Sequence, residues 1–450
     1  MNGDLLCGWL INNLWCRRNQ FFLFQYLGVC HNININLLKV CCNLKMDSFN
    51  FDDIHNDDSD DECLHLATEL KGETTEMIDE LKEVPVEKKK LDLEVRAKIT
   101  LDKYRGAIWG CAIADAIGLQ FEGCDYRRAK MLSDRGIKFP TAAEGMIRGV
   151  IKGDWTDDTD HMVLLLDSAY FDEKNIMRVD NKLFASKLVS WRYNGFPELG
   201  DSSGMGLGSL TAKLTSHHKY TLEPQIVALE VYKSLGGDPN SGKIDAPAPN
   251  GALMRIAPLA LSEDYLDEVV EHCIVTHYDG RCVFSCVMQC DIIRHIIKYH
   301  NIDEKNIHHF YEAAIGILDD SFKHEVKEYY DLGMNATIGN HDKQGLIETN
   351  LFEALEVGQY GNRRDKNGYT LVAFAIMLWG LRAAIAQHPF SSIIKTIISA
   401  GGDADTNAAI AGAVIGAYVG YSCLPKDWIN GTPHKAWLDK KIDNFLNRTK

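Results

Sequence analysis

Two short stretches, "WTDDTDHM" at 155–162 and "GGDADTNA" at 401–408, crowd carboxylates and hydroxyls into single turns with no Lys or Arg among them. Asp157, Asp158, Asp403 and Asp405 stand beside Thr156 and Thr406. One such Asp or Thr is an ordinary helix cap, because a capping side chain accepts from the free amides of the first turn. Two clusters exceed what capping uses. Four carboxylates withdrawn from water repel one another or take up protons unless a cation joins them. Hard divalent cations are the natural partner: Mg²⁺, with Mn²⁺ as a substitute, takes carboxylate, hydroxyl and water oxygens and needs no sulfur. Two ions sharing a carboxylate fit the count, and Gly401 and Gly402 permit the close backbone approach such a centre demands.

Helices must position these groups. Beyond residue 100, apolar residues recur at intervals of three or four: Trp109, Ile113 and Ile117, then Met162 and Leu166 with Leu165 and Ala169 on the same face. Alternating β-branched runs are scarce, so the fold is predicted to be all-α, punctuated by Gly- and Pro-rich loops at 195–209 and 236–251. Two segments carry small residues every four positions: Gly106, Gly110, Ala114 and Gly118, and Ala408, Gly412, Gly416 and Gly420. Each glycine costs a helix interior about 0.5–1 kcal/mol relative to alanine, so the stripes need a close-packing reason. If they pack, whatever sits at their ends is brought together. The segment "FSSIIKTIISAGG" before the second cluster has helical length, which disfavours reading "DADTN" as the strand-fed aspartyl nucleophile of a phosphohydrolase.

Five motifs in order, "GAIWGCAIADAIGLQFEG", "GDWTDDTDHMVLLLDS", "NGALMRIAPLAL", "THYDG" and "GGDADTNAAIAGAVIGAYVG", resemble the ADP-ribosylglycohydrolases across about residues 100–430. The resemblance implies an all-α domain with a binuclear Mg²⁺ site. Thr156, Asp157, Asp158 and Asp405 would hold one ion, and Asp403, Asp405 and Thr406 the other. Glu122 would be the general acid or base, with Asp158 beside it in catalysis; for Asp115, helix packing and ligation both stay open. The glycine-rich loop "GDSSGMGLGS" offers amides at Ser203, Gly204 and Gly206 that could cradle a diphosphate, and the resemblance places Asn250, Gly251, Arg255, His277 and Tyr369 near the ADP-ribose. The implied reaction breaks the bond from ribose to a modified side chain through an oxocarbenium-like state. Arginine is the expected acceptor. Serine-linked ADP-ribose, O-acyl-ADP-ribose and a non-catalytic crystallin-like relative are the alternatives; the last should have lost ligands that this chain keeps. Where relatives often have glycine, "IADA" has Ala114.

The remainder bounds the partners. A formal charge of −15 is opposed to binding nucleic acid or an anionic membrane. Residues 46–100 hold 17 acidic and 7 basic residues and so carry most of that charge. The chain is expected to divide into a leader at 1–45, an acidic and largely disordered tail at 46–95 with possible surface helices, and a catalytic domain at 96–450. Translation starting at Met46 is one explanation of the leader. It is too broken by Asn13, Arg17, Arg18, Asn19 and Gln20 for a signal peptide or span. Thirteen cysteines without CxxC or framework spacing read as reduced thiols, hence a cytoplasmic protein, expected to be a monomer. Cys282, Cys286 and Cys290 form a one-face stripe that reads as core rather than zinc.

Overall fold

The structure, a computed structural model, describes residues 86–147, 149–174, 176–238, 246–262, 264–358 and 367–448. The leader, the Met46 start and the acidic tail up to residue 85 lie outside the described residues. By internal contacts the chain divides into Met1–Leu93 and Glu94–Lys450, and the second unit holds both acidic clusters.

The helices are α1 Val86–Gly118, α2 Tyr126–Asp134, α3 Asp157–Ser168, α4 Asn181–Asn194, α5 Ser209–Thr215, α6 Pro224–Ser234, α7 Tyr265–Cys273 and α8 Gly280–Tyr299. They continue as α9 Glu304–Ile315, α10 Asp320–Asn335, α11 Leu351–Ala354, α12 Thr370–Ile385, α13 Phe390–Ile398, α14 Ala404–Val419, α15 Lys426–Gly431 and α16 Lys435–Leu446. Two small antiparallel hairpins, β1 Met146–Ile147 with β2 Val150–Ile151 and β3 Ala169–Phe171 with β4 Met177–Val179, are the strands among the described residues. The fold is therefore mostly helical. Ala169, expected on the face of α3, instead turns extended (φ −78°, ψ 144°) and opens β3, so the helix stops one residue earlier than its spacing suggests.

The centre is α12, "TLVAFAIMLWGLRAAI", apolar on every side and buried along nearly its whole length. It packs against α10 and α14, and α14 also packs against α13. The helical α13 that precedes "DADTN" removes the strand a phosphohydrolase reading would need. Cys282, Cys286 and Cys290 are buried in α8 as free thiols.

The glycine stripes explain where the two acidic clusters end up. A Cβ built on Gly416 would lie 2.1 Å from the Gly106 carbonyl oxygen, one on Gly412 2.4 Å from that of Gly110, and one on Gly118 2.5 Å from Asp405 Cα. So α1 and α14 run antiparallel in backbone contact, and the C-terminal end of α1 rests on the first turn of α14. Helix α3, with Thr156 as its N-cap, packs against α14 as well. Three helix ends meet at one point.

Candidate active site

Asp115, in the last turn of α1, is fully buried and serves as the hub. Its carboxylate accepts from the Thr156 backbone N–H at 3.1 Å, Thr156 Oγ1 at 2.9 Å, the Thr159 N–H at 3.1 Å and Thr159 Oγ1 at 2.7 Å. The first turn of α3 is thereby bolted to α1. Thr156 Oγ1 also lies 3.0 Å from Asp158 Oδ2, so one hydroxyl proton faces two carboxylates. Thr406 Oγ1 donates to the same Asp158 oxygen at 3.2 Å, joining α14 to α3. The other Asp158 oxygen, Oδ1, is buried with no hydrogen-bond partner.

Across the site Asp403 caps α14, and its Oδ2 accepts from Asn250 Nδ2 at 2.7 Å. Glu122 Oε2 accepts the Ala404 N–H at 3.1 Å, and Asp405 Oδ1 takes the Thr406 N–H at 2.9 Å. Carboxylate oxygens of Asp115, Asp158 and Asp405 lie within 4.8 Å of one another, and so do those of Glu122, Asp403 and Asp405. Asp405 belongs to both groups.

Such crowding has an electrostatic cost. Burial pushes the carboxyl groups of Asp115 and Asp403 up to about 6, the latter helped by the Glu122 charge. Burial also holds Asp157, Asp158 and Asp405 well above the usual carboxylate range, and neighbouring acids add to it in each. Among the described residues no Lys or Arg forms an ion pair with these five, and the main influences on them are burial, other acids and hydrogen bonds. A buried, unpartnered carboxylate oxygen amid all-oxygen donors is the environment a hard divalent cation satisfies, so the residues present could hold metal.

The other expected contacts surround this centre. Gly206, at φ +89°, sits against Asp157: a Cβ there would meet Asp157 Oδ1 at 2.1 Å. Gly204 lies on the Trp191 ring, while Ser203 is exposed. Gly251 abuts the imidazole of buried His277, whose Nδ1 is 2.7 Å from Thr276 Oγ1. Arg255 is entirely buried and spends its donors on the Gly251 carbonyl at 2.8 Å, Thr276 Oγ1 at 2.7 Å and His272 Nε2 at 3.2 Å. It thus supports the Asn250–Gly251 turn from beneath. Tyr369 caps α12, with its backbone bridged to Pro249. Its hydroxyl donates to Glu325 Oε1 at 2.8 Å and accepts from Arg281 Nη1 at 3.2 Å.

Comparison with known proteins decides the family: the ADP-ribosylglycohydrolase family model matches residues 96–450. The chain belongs to the ADP-ribosylglycohydrolase family. It is 24% identical to the ADP-ribosylarginine hydrolase Tri1 of Serratia proteamaculans, over 78% of this chain and 79% of that protein. It is also 24% identical to the ADP-ribosylhydrolase ARH3 of Danio rerio, over 73% of this chain and 85% of that protein. A solved structure titled an ADP-ribosylglycohydrolase-related protein complex superposes with a TM-score of 0.50 at 20% identity, over 78% of this chain and all of that one. That likeness concerns the fold. Like its family, the protein is a glycosyl-bond hydrolase that acts on ADP-ribosyl groups. Among the described residues no helix is long and apolar enough to cross a membrane.

One member of the acidic turn of this ADP-ribosylglycohydrolase was not singled out from sequence. Asp160 is buried, and its two oxygens accept from the indole N–H groups of Trp155 and Trp191, each at 2.8 Å. Since Trp191 also carries Gly204, the pair forms the floor under the glycine loop. Trp191→Phe keeps an aromatic surface but leaves Asp160 Oδ2 without its donor, which should destabilise the fold by about 1–3 kcal/mol. A melting temperature lowered by several degrees in thermal denaturation is the expected reading, and an unchanged one would remove this floor from the account.

Proposed function

We propose that the protein uses two divalent cations, Mg²⁺ first and Mn²⁺ as a substitute, to hydrolyse the bond between the ribose C1″ of ADP-ribose and a modified side chain, with arginine as the acceptor. The observation that carries this reading is the sharing of Asp405 between two carboxylate groups that would each repel themselves apart without a cation. Thr156, Asp157, Asp158 and Asp405 would hold one ion, and Asp403, Asp405 and Thr406 the other, with Asp115 fixing the turn that presents the first set. When bound, the ions orient ribose hydroxyls and lower the pKa of bound water.

The chain's own residues supply the rest. Glu122, half-buried at the mouth of α14, would move the proton between water and the leaving group through its carboxylate. Asp158, in the other carboxylate group, would present its unpartnered Oδ1 as the second catalytic carboxylate. Ser203, Gly204 and Gly206 would offer loop amides to the diphosphate, and Asn250 and Gly251 would contact the ADP-ribose from the turn that meets Asp403. His277, its imidazole kept neutral by burial and by the Arg255 charge, can accept or donate a hydrogen bond to a ribose hydroxyl without carrying charge. Arg255 would act by holding the Asn250–Gly251 turn, and Tyr369 through its backbone bridge to Pro249 beside that turn.

Arginine is preferred because one of the compared relatives bears that activity in its name, while the ARH3 relative, equally similar, leaves linkage to be measured. Arginine-, serine- and cysteine-linked ADP-ribosyl peptides incubated with Mg²⁺ should show release of ADP-ribose from the arginine peptide, stopped by EDTA and restored by excess Mg²⁺. Release from the serine peptide alone would shift the acceptor, and EDTA-resistant release would remove the metals.

A further inference from the structure

We propose that α2 and the turn after it, Tyr126 to Lys138, form a docking surface for a polypeptide substrate whose modified side chain is flanked by acidic residues. The proposal rests on the ADP-ribosyl hydrolase reading above and extends it to the part of the substrate that the ADP-ribose contacts cannot reach.

The segment "YRRAKMLSDRGIK" holds five cations, Arg127, Arg128, Lys130, Arg135 and Lys138, against one acid, Asp134, in a chain whose formal charge is −15. All five are exposed. Among the described residues, only Lys130 of the five has a carboxylate partner, Asp134 at 2.9 Å. Between the charges stand two exposed, less polar side chains, Tyr126 at 58% and Met131 at 59% exposure. A cationic surface interleaved with an aromatic and a thioether offers a polypeptide both ion pairs and apolar contact.

Its place in the fold ties it to the candidate active site. The helix begins four residues after Glu122, its N-cap Asp125 accepting the Arg128 N–H at 2.7 Å. Just before it, Gly123 donates to the Gly402 carbonyl at 2.8 Å and Gly402 donates to the Cys124 carbonyl at 2.9 Å. On its inner face Ala129 packs on the turn that leads to Asp403: a Cβ built on Gly401 would lie 3.2 Å from Ala129 Cβ. The buried side of α2 therefore touches the turn that leads to Asp403 while its outer side shows exposed cations to solvent. A nine-residue helix is about 13 Å long, the reach of a few residues of extended chain on either side of a modified side chain. Acidic polypeptide is favoured over nucleic acid as occupant because a duplex or long single strand engages many phosphates at once, and beyond this short segment the chain is acidic overall.

The test uses the full chain and its Arg127→Glu/Arg128→Glu variant, with circular dichroism to establish that the variant is folded and Arg127→Gln/Arg128→Gln as a milder form. Substrates are two ADP-ribosylated peptides differing only in Asp/Glu or Lys/Arg flanks, together with the free ADP-ribosylated amino acid. The expected result is an acidic-peptide preference of about tenfold at low salt, residing in KM and shrinking at high salt. The charge-reversed variant should lose or invert it, the Gln variant should fall between, and hydrolysis of the free amino-acid conjugate should stay unchanged. Equal KM values for the two peptides with the native chain, or an unaltered preference in the variant, would overturn the proposal. Fluorescence anisotropy of the unmodified acidic peptide reads the same surface without turnover. If the native chain hydrolyses nothing yet binds this peptide through Arg127 and Arg128, the activity reading fails and the surface stands; displacement of the peptide by a single-stranded oligonucleotide at lower concentration would overturn the assigned occupant.

Discussion

Asp405→Asn should abolish hydrolysis while leaving the protein folded. Asp405 is the one carboxylate common to both acidic groups, so its loss weakens two cation sites at once, whereas any other aspartate belongs to one. The sign of the stability effect separates this account from a purely structural role. In the folded protein Asp405 is buried and faces the charges of Glu122, Asp158 and Asp403, so in EDTA a neutral amide relieves repulsion, and the melting temperature should hold or rise. With millimolar Mg²⁺ the native chain gains binding stabilisation, about 2.7 kcal/mol when the free ion is at 100 times its dissociation constant, and the variant should gain none. Two melting curves for each protein, with and without Mg²⁺, together with ADP-ribose release, check it. Normal turnover by Asp405→Asn, or an equal Mg²⁺ response in both proteins, would refute the shared-ligand geometry.

The largest effect on stability is expected at the helix crossing. In Gly416→Val the first carbon alone would fall 2.1 Å from the Gly106 carbonyl oxygen, well inside contact distance, with two methyl groups still to place. Both partners are backbone within helices, so the contact opens only if α1 and α14 separate, which carries Gly118 away from Asp405. Overpacking of ordinary side chains costs about 1–3 kcal/mol, and this backbone clash belongs at or beyond the upper end. The variant should accumulate as insoluble protein or melt many degrees lower, without Mg²⁺ rescue. Gly316→Ala is the matched control: its Cβ would meet only the Ala313 carbonyl at 3.4 Å, and Gly316 has ordinary helical φ of −67°, so its stability should be unchanged or slightly raised.

How much of the molecule was legible in the sequence depended on whether the signal was local. The acidic turns at 156–158 and 403–406 advertise themselves because their members are neighbours along the chain, and their meeting follows from glycine stripes whose four-residue period has no other economical use. Helical spacing gave the fold class for the same reason. Asp115 was ambiguous, since its four donors come from Thr156 and Thr159, more than forty residues away, and nothing near Asp115 announces them. Asp160 was hidden similarly: in sequence it is one more acid in an acidic turn, and only the fold sets Trp191 against it. Resemblance pointed to Arg255 and Tyr369 as belonging to this region, but not to where their polar atoms go, because guanidinium and phenol partners such as Thr276 and Glu325 are chosen by tertiary packing. The cations of α2 were plain in the text, yet their meaning depends on Ala129 touching Gly401, which no spacing rule supplies.

The contact between α1 and α14 also sets a schedule for making the molecule. Gly106, Gly110 and Gly118 leave the ribosome long before Gly412 and Gly416 exist, an interval of roughly 15–60 s at about 5–20 residues per second. Throughout it the nascent chain carries one small-residue stripe and one acidic turn without the partners they meet in the fold. The two acidic turns can therefore meet only after residues 403–416 have emerged, and a product terminated before Asp403 should be inert rather than partly active.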